Sequence, residues 1–114
     1  MGERIAFIGG GNMATAIMGG MVRHGVPVAL LDVVEPLADA RARLHTDLGV
    51  QTHASAGPFL EQAGVVVWAV KPQSFRDAAV AVAPHTTNAL HVSVAAGIRS
   101  DSIAQWLANE RVVR

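Results

Sequence analysis

Short apolar runs alternate with longer amphipathic stretches along the chain. The apolar runs lack the alternation of half-exposed strands, so they predict strands that are buried on both faces. The longer stretches carry apolar residues at the three- and four-residue spacing of helices. The predicted strands cover residues 5–8, 28–31, 50–52, 65–70, 90–95 and, at the end, 111–114. The predicted helices cover residues 12–24, 36–48, 74–83 and 100–107, with a brief helix beginning near Pro58.

The regular alternation of buried strands with helices predicts an α/β fold with helices on both faces of a parallel sheet. Right-handed crossovers make this a doubly wound sheet. Because a glycine cluster follows the first strand, the expected strand order is 3-2-1-4-5-6. No repeat or linker divides the sequence, so residues 1–114 are expected to form one domain. A chain of this length that is 51% hydrophobic, with a mean hydropathy of +0.34, can build such a core.

The glycine cluster joins the first predicted strand to the first predicted helix. Gly9, Gly11 and Ala14 fit the pattern G-x-G-x-x-A, and a strand before it and a helix after it are the context of a dinucleotide site. In this Rossmann-type arrangement Gly9 permits the tight turn, Gly11 lets the backbone approach a pyrophosphate, and Ala14 keeps the helix close to the strand. The helix N-terminus then binds the anion through its free N–H groups and its dipole. The alternative is a glycine-rich turn without a ligand.

The residues assigned to this pyrophosphate site are Ile8, Gly9, Gly10, Gly11, Asn12, Met13 and Ala14. Asn12 is expected to cap the helix or to contact a phosphate. The side chain of Met13 is expected to pack inward.

An acidic residue at the end of the second strand would accept a hydrogen bond from the ribose 2′-hydroxyl. Asp32 directly follows the predicted strand 28–31, and its carboxylate would repel a 2′-phosphate, which favours NAD over NADP. No lysine or arginine stands between Asp32 and Arg41 to hold that phosphate. Glu35 is a second acidic candidate. The alternative is that Asp32 is a solvated loop residue or a helix cap.

Two further segments are expected to face the cofactor, since ligands lie where the strand order reverses, between the first and fourth strands. The fourth strand leads there into residues 69–73, in which Pro72 stops the strand and Lys71 supplies a cation. Lys71 either contacts the cofactor or an anionic substrate, or it is a surface lysine. The fifth strand leads into residues 93–97, whose small side chains leave room for a nicotinamide ring or, alternatively, for tight helix packing. The assigned residues are Ala69, Val70, Lys71, Pro72, Ala95 and Ala96.

Composition excludes several other classes of function. The formal net charge is 0 and the basic residues are scattered, so neither nucleic acid nor an anionic membrane surface is an expected partner. The apolar runs are too short to span a bilayer, and no segment resembles a targeting signal, so we expect a cytoplasmic protein. There is no cysteine, and the five histidines lack metal-ligand pairing, so we expect no metal site.

Taken together, residues 7–13 (Phe-Ile-Gly-Gly-Gly-Asn-Met), 69–73 (Ala-Val-Lys-Pro-Gln) and 93–97 (Ser-Val-Ala-Ala-Gly) resemble the N-terminal domain of pyrroline-5-carboxylate reductases. The resemblance covers essentially the whole chain. It implies reduction of 1-pyrroline-5-carboxylate to L-proline, in proline biosynthesis, by hydride from NADPH or NADH. It also places Gly9–Ala14 at the pyrophosphate, the segment 69–72 and the pair Ala95–Ala96 at the nicotinamide end of the cofactor, and the region around Asp32 to Pro36 at the adenosine ribose. Many members of that family carry Ser, Thr, Asn or Arg at the end of the second strand and prefer NADPH, so Asp32 departs from their pattern.

In that family a C-terminal helical domain supplies most substrate contacts and the dimer interface, and this domain is absent from the chain. We therefore expect a homo-oligomeric intact protein that takes a small imino-acid substrate, and a chain that binds the cofactor but does not turn over substrate alone. No residue of the chain is assigned a catalytic role. Two alternatives stay open: another NAD(P)-dependent dehydrogenase of the 6-phosphogluconate or 3-hydroxyacid type, and a non-catalytic nucleotide-sensing module.

Overall fold

A computed structural model of the chain describes residues 4–70, 72–87 and 89–93. Its centre is a parallel sheet of five strands in the order β3-β2-β1-β4-β5. The strands are β1 (Arg4–Ile8), β2 (Leu31–Val34), β3 (Gln51–His53), β4 (Ala63–Trp68) and β5 (Leu90–Ser93). The predicted α/β class and the order of the first five strands are confirmed. The predicted helix 100–107 and the predicted sixth strand 111–114 lie outside the described residues.

Over the described residues, three α-helices and three 3₁₀ turns connect the strands. The helices are α1 (Asn12–Arg23), α2 (Ala38–Leu48) and α3 (Pro72–Val82), and the 3₁₀ turns are Val28–Leu30, Pro58–Gln62 and Ala83–His85. α2 ends at Gly49, which adopts the left-handed conformation (φ 77°) that lets a helix stop and the chain turn into the next strand.

Two apolar cores lie on opposite faces of the sheet. On one face, Phe7 and Leu31 of the sheet pack with Met18 and Met21 of α1 and with Leu44 of α2. The other face is covered by the 3₁₀ turn Pro58–Gln62 and by α3, and its core is formed by Ala6, Ile8, Val34, Leu60, Val66, Trp68 and Val82. Because β1 and β4 contribute side chains to both cores, their apolar runs are continuous. With helices on both faces of the sheet, the doubly wound arrangement is confirmed.

The second strand begins later than its apolar pattern indicates. The predicted strand 28–31 is a 3₁₀ turn over Val28–Leu30, and β2 runs from Leu31 to Val34. The polar Asp32 interrupts the apolar run and therefore looked like the residue after a strand. In the structure its carboxylate is paired within the sheet, so the strand continues through it.

Among the helices of the described residues, none is long and apolar enough to cross a membrane. Over the same residues, no cluster of three or more histidine, aspartate or glutamate side chains could hold a metal ion.

Candidate functional site

The carboxyl ends of β1, β2 and β4 meet around the turn that follows Ile8. The Gly9 N–H donates to the Val34 carbonyl of β2 at 2.9 Å, and the Ala69 N–H donates to the Ile8 carbonyl of β1 at 2.9 Å. Gly9 has φ 102°, and a Cβ placed on it would lie 2.6 Å from the Ala69 carbonyl oxygen. The turn therefore needs glycine for its backbone conformation and for its close approach to the end of β4.

The next two glycines have different surroundings. A Cβ on Gly10 would lie 2.7 Å from Cδ1 of Leu44 and 3.2 Å from Cβ of Glu35, so Gly10 is a packing position beneath α2. A Cβ on Gly11 would meet no atom within 4 Å, although its backbone conformation (φ −79°, ψ −162°) is one that any residue adopts. The space beside Gly11 is therefore open, at the place where a bound group would lie against the backbone.

The N-terminus of α1 opens onto this space. Gly11 is its N-cap, so no side chain caps the helix, and the first turn contains no acidic residue. The hydroxyl of Thr15 donates to the Gly11 carbonyl at 2.8 Å and is directed away from the free N–H groups. A helix start with free N–H groups and no acidic residue in its first turn suits an anion such as a pyrophosphate.

Side chains in the first turn of α1 point in opposite directions. Ala14 is buried at 1% exposure and packs in the core with Phe7, as its place in the glycine pattern predicts. Met13 is 42% exposed, so the prediction that it packs inward is wrong. Successive helical residues are turned by about 100°, and in α1 the buried face is taken by Ala14, Ile17 and Met18.

Asp32 does not lie at the end of β2, and this corrects the predicted ribose contact. It stands second in the strand, is 4% exposed, and faces the sheet side covered by the 3₁₀ turn Pro58–Gln62. Its Oδ2 accepts from Nη2 of Arg4 at 2.8 Å, and its Oδ1 lies 3.1 Å from Nε2 of His53. The His53 ring stacks on Phe59, with 3.6 Å between ring centroids. Asp32 is therefore the buried member of a half-buried polar cluster that joins β1, β2 and β3.

Replacing Asp32 by alanine is expected to lower the free energy of unfolding by about 1–2 kcal/mol, because Arg4 and His53 on the two neighbouring strands lose the carboxylate that pairs with them. The Arg4 side chain is 32% exposed, so solvent screening keeps the loss from being larger. The change in the free energy of unfolding is measured by urea unfolding. Asp47→Ala, at an exposed position of α2, is the matched control and should change stability by less than about 0.5 kcal/mol. Equal losses in both variants would contradict a structural role for Asp32.

Glu35 occupies the position that the sequence assigned to Asp32. It directly follows β2 and is 8% exposed. Its Oε1 accepts from the Gly10 N–H at 2.8 Å, and its Oε2 accepts from the Leu37 N–H at 3.0 Å. The carboxylate thus links the glycine turn to the start of α2. In the sequence, Glu35 directly follows Val33 and Val34. It is the first residue after the strand if the strand is extended through Asp32.

Two residues of the segment 69–73 lie against the glycine turn. Ala69 and Val70 follow β4, and a Cβ on Gly9 would lie 3.1 Å from Cγ1 of Val70. Pro72 is the first residue of α3. Lys71, Ala95 and Ala96 lie outside the described residues.

Comparison with known proteins adds the family. The profile of the family described as NADP oxidoreductase coenzyme F420-dependent matches residues 4–97. The chain belongs to this family. The matched region contains every residue assigned above to the candidate site.

The proteins to which this chain is similar include pyrroline-5-carboxylate reductases. That of Pseudomonas aeruginosa is 40% identical over 111 residues, which are 96% of this chain and 41% of the relative. That of Vibrio alginolyticus is 37% identical and covers 95% of this chain and 40% of the relative. A solved structure of a pyrroline-5-carboxylate reductase from Coxiella burnetii has a TM-score of 0.77 and 28% identity, covering 99% of this chain and 43% of that chain. The predicted resemblance is confirmed, and the chain spans about 41% of the length of its Pseudomonas relative.

Proposed function

We propose that this chain is the coenzyme-binding part of an NAD(P)H-dependent pyrroline-5-carboxylate reductase, which reduces 1-pyrroline-5-carboxylate to L-proline. The observation that carries the proposal is the 40% identity to the Pseudomonas aeruginosa reductase, which extends over 96% of the chain. The site geometry supports it, because the open space beside Gly11 and the uncapped start of α1 suit a dinucleotide pyrophosphate.

Each assigned residue then has a stated part in holding the coenzyme. The N–H groups of Gly11, Asn12 and Met13 bind the pyrophosphate, and Gly9 and Gly10 set the turn that presents them. Ala14 holds α1 against the sheet. Ile8, at the end of β1, forms the floor of the crevice. The nicotinamide end is lined by Ala69, Val70, Lys71, Pro72, Ala95 and Ala96.

The reduced nicotinamide supplies hydride to the imine carbon of the substrate when it is bound. The chain's own contribution is to bind the coenzyme and to fix its orientation, since hydride transfer needs positioning more than a protein nucleophile. The substrate contacts are assigned to the longer part of the relatives that this chain does not span. We further propose that the intact protein is a homo-oligomer of the cytoplasm.

Titration of the purified chain with NADH or NADPH tests the binding half of the proposal. Saturable binding, followed by nicotinamide fluorescence, is the expected result, and Glu61→Gln, which removes an exposed carboxylate on the 3₁₀ turn Pro58–Gln62, should leave it unchanged. No saturable binding of either coenzyme would overturn the proposal.

The catalytic half is tested by adding 1-pyrroline-5-carboxylate and reduced coenzyme to two samples. The chain alone is expected to form no proline at an enzymatic rate, whereas the full product of the gene that encodes it is expected to do so. A full product that oxidises 3-hydroxy acids, or that binds coenzyme without acting on any imine, would replace this assignment by a dehydrogenase or a nucleotide sensor.

A further inference from the structure

Glu35 is the acidic residue that the fold places beside the candidate coenzyme site. Both of its carboxylate oxygens accept a backbone N–H, one from Gly10 in the glycine turn and one from Leu37 before α2. A carboxylate has about four acceptor positions, so each oxygen retains one for a further donor. The two hydrogen bonds hold this side chain in place before any ligand arrives.

The negative charge of Glu35 has no cationic partner within ion-pair distance among the described residues. Arg41 approaches the same loop, but its Nη1 donates to the backbone carbonyls of Glu35 (2.8 Å) and Pro36 (2.9 Å) and not to the carboxylate. To hold an added anionic group with that nitrogen, Arg41 would have to leave these two carbonyls. In this loop the charge of the Glu35 carboxylate is therefore uncompensated, and the nearby Arg41 guanidinium is already hydrogen-bonded to backbone carbonyls.

We infer that Glu35 makes this chain select NADH over NADPH by accepting hydrogen bonds from the adenosine ribose. The inference rests on the proposed function, because the ribose reaches the end of β2 only when the pyrophosphate lies at the start of α1. The 2′-hydroxyl of NADH is a donor for a free position on the carboxylate. The 2′-phosphate of NADPH carries no such donor and brings negative charge against a buried carboxylate. The chain thus differs from the NADP named in its family's description.

Asp32 is excluded from this role by its position. Its carboxylate lies inside β2 on the sheet face covered by the 3₁₀ turn Pro58–Gln62, where it pairs with Arg4 and His53, and not in the loop beside the glycine turn. The two carboxylates are therefore separable by mutation, since one belongs to the sheet and the other to the loop that follows it.

The test is a titration of the full chain with NADH and with NADPH, on the natural sequence and on Glu35→Gln, Asp32→Asn, Arg41→Gln and Glu61→Gln. The readout is the dissociation constant for NADPH divided by the dissociation constant for NADH. Glutamine keeps the shape of Glu35, and any loss of loop order weakens both coenzymes, so the ratio isolates the charge. Glu61→Gln removes an equal charge from a side chain that is 62% exposed.

The natural chain is expected to bind NADH at least about tenfold more tightly than NADPH, and Glu35→Gln is expected to reduce this ratio at least about fivefold. Asp32→Asn, Arg41→Gln and Glu61→Gln are expected to leave it within about twofold. Tight binding of both coenzymes with an unchanged ratio in Glu35→Gln would overturn the inference while leaving the proposed function intact. A ratio that moves with Asp32→Asn, or a selective loss of NADPH in Arg41→Gln, would overturn it as well. Failure of the natural chain to bind either coenzyme would instead remove the proposed function.

Discussion

Replacing Gly11 by alanine is expected to weaken coenzyme binding about tenfold, and replacing it by valine about a hundredfold, with a loss of fold stability of only about 1 kcal/mol. The added carbons would stand in the open space beside the start of α1, where no protein atom lies within 4 Å of a Cβ. They would separate a pyrophosphate from the N–H groups that bind it. The backbone at Gly11 is extended, so the substitution introduces no conformational strain.

Two measurements on each variant separate an effect on coenzyme binding from an effect on fold stability. Fluorescence titration gives the dissociation constant for NADH and for NADPH, and urea unfolding gives stability, which should fall by about 1 kcal/mol because alanine and valine are poorer N-caps than glycine. Binding that survives in Gly11→Val would show that the coenzyme does not approach this glycine. A large loss of stability would show that Gly11 is a packing position like Gly10.

Replacing Gly9 by alanine is expected to lower the free energy of unfolding by about 3 kcal/mol or more. Alanine at φ 102° is strained, and its Cβ would lie 2.6 Å from the Ala69 oxygen and 2.9 Å from the Ala69 carbon. Both atoms belong to the backbone at the end of β4, so relief requires β1 and β4 to move apart, at the centre of the sheet. Such a loss is a large part of the total stability of a small domain.

Gly25 supplies the matched control, because its φ of 101° is nearly the same and a Cβ on it would meet no atom within 4 Å. Gly25→Ala should therefore cost about 1–2 kcal/mol from backbone conformation alone. The difference between the two variants, measured by urea unfolding, reports the contact with Ala69. Equal losses of unfolding free energy in Gly9→Ala and Gly25→Ala would mean that the turn at Gly9 rearranges to accommodate the added methyl group.

Some features of the site follow from local rules. The strand-glycine-helix order predicted a pyrophosphate site at Gly9–Ala14, and the structure places Gly11 at an uncapped helix start beside open space. The reversal of strand order predicted that residues 69–73 would face a cofactor between the first and fourth strands, and in the structure Ala69 and Val70 lie against the glycine turn. The strand order and the place of the glycine turn are predictable because turn chemistry and right-handed crossovers constrain a chain over short distances.

Other features depend on partners that are remote in the sequence. Asp32 is 28 residues from Arg4 and 21 residues from His53, and only the assembled sheet shows that these groups satisfy its carboxylate. A polar residue in an apolar run was consequently interpreted as the end of the strand. The same mistake assigned the ribose contact to Asp32, three positions before Glu35.

The sequence by itself therefore determined the α/β class, the strand order and the glycine turn, since hydrophobic periodicity and glycine conformation are local properties. The tertiary structure decided which glycine faces open space, which acidic residue lies beside the glycine turn, and that Met13 faces outward. These points depend on burial and on compensation of charge across neighbouring strands, which no short segment of the chain contains.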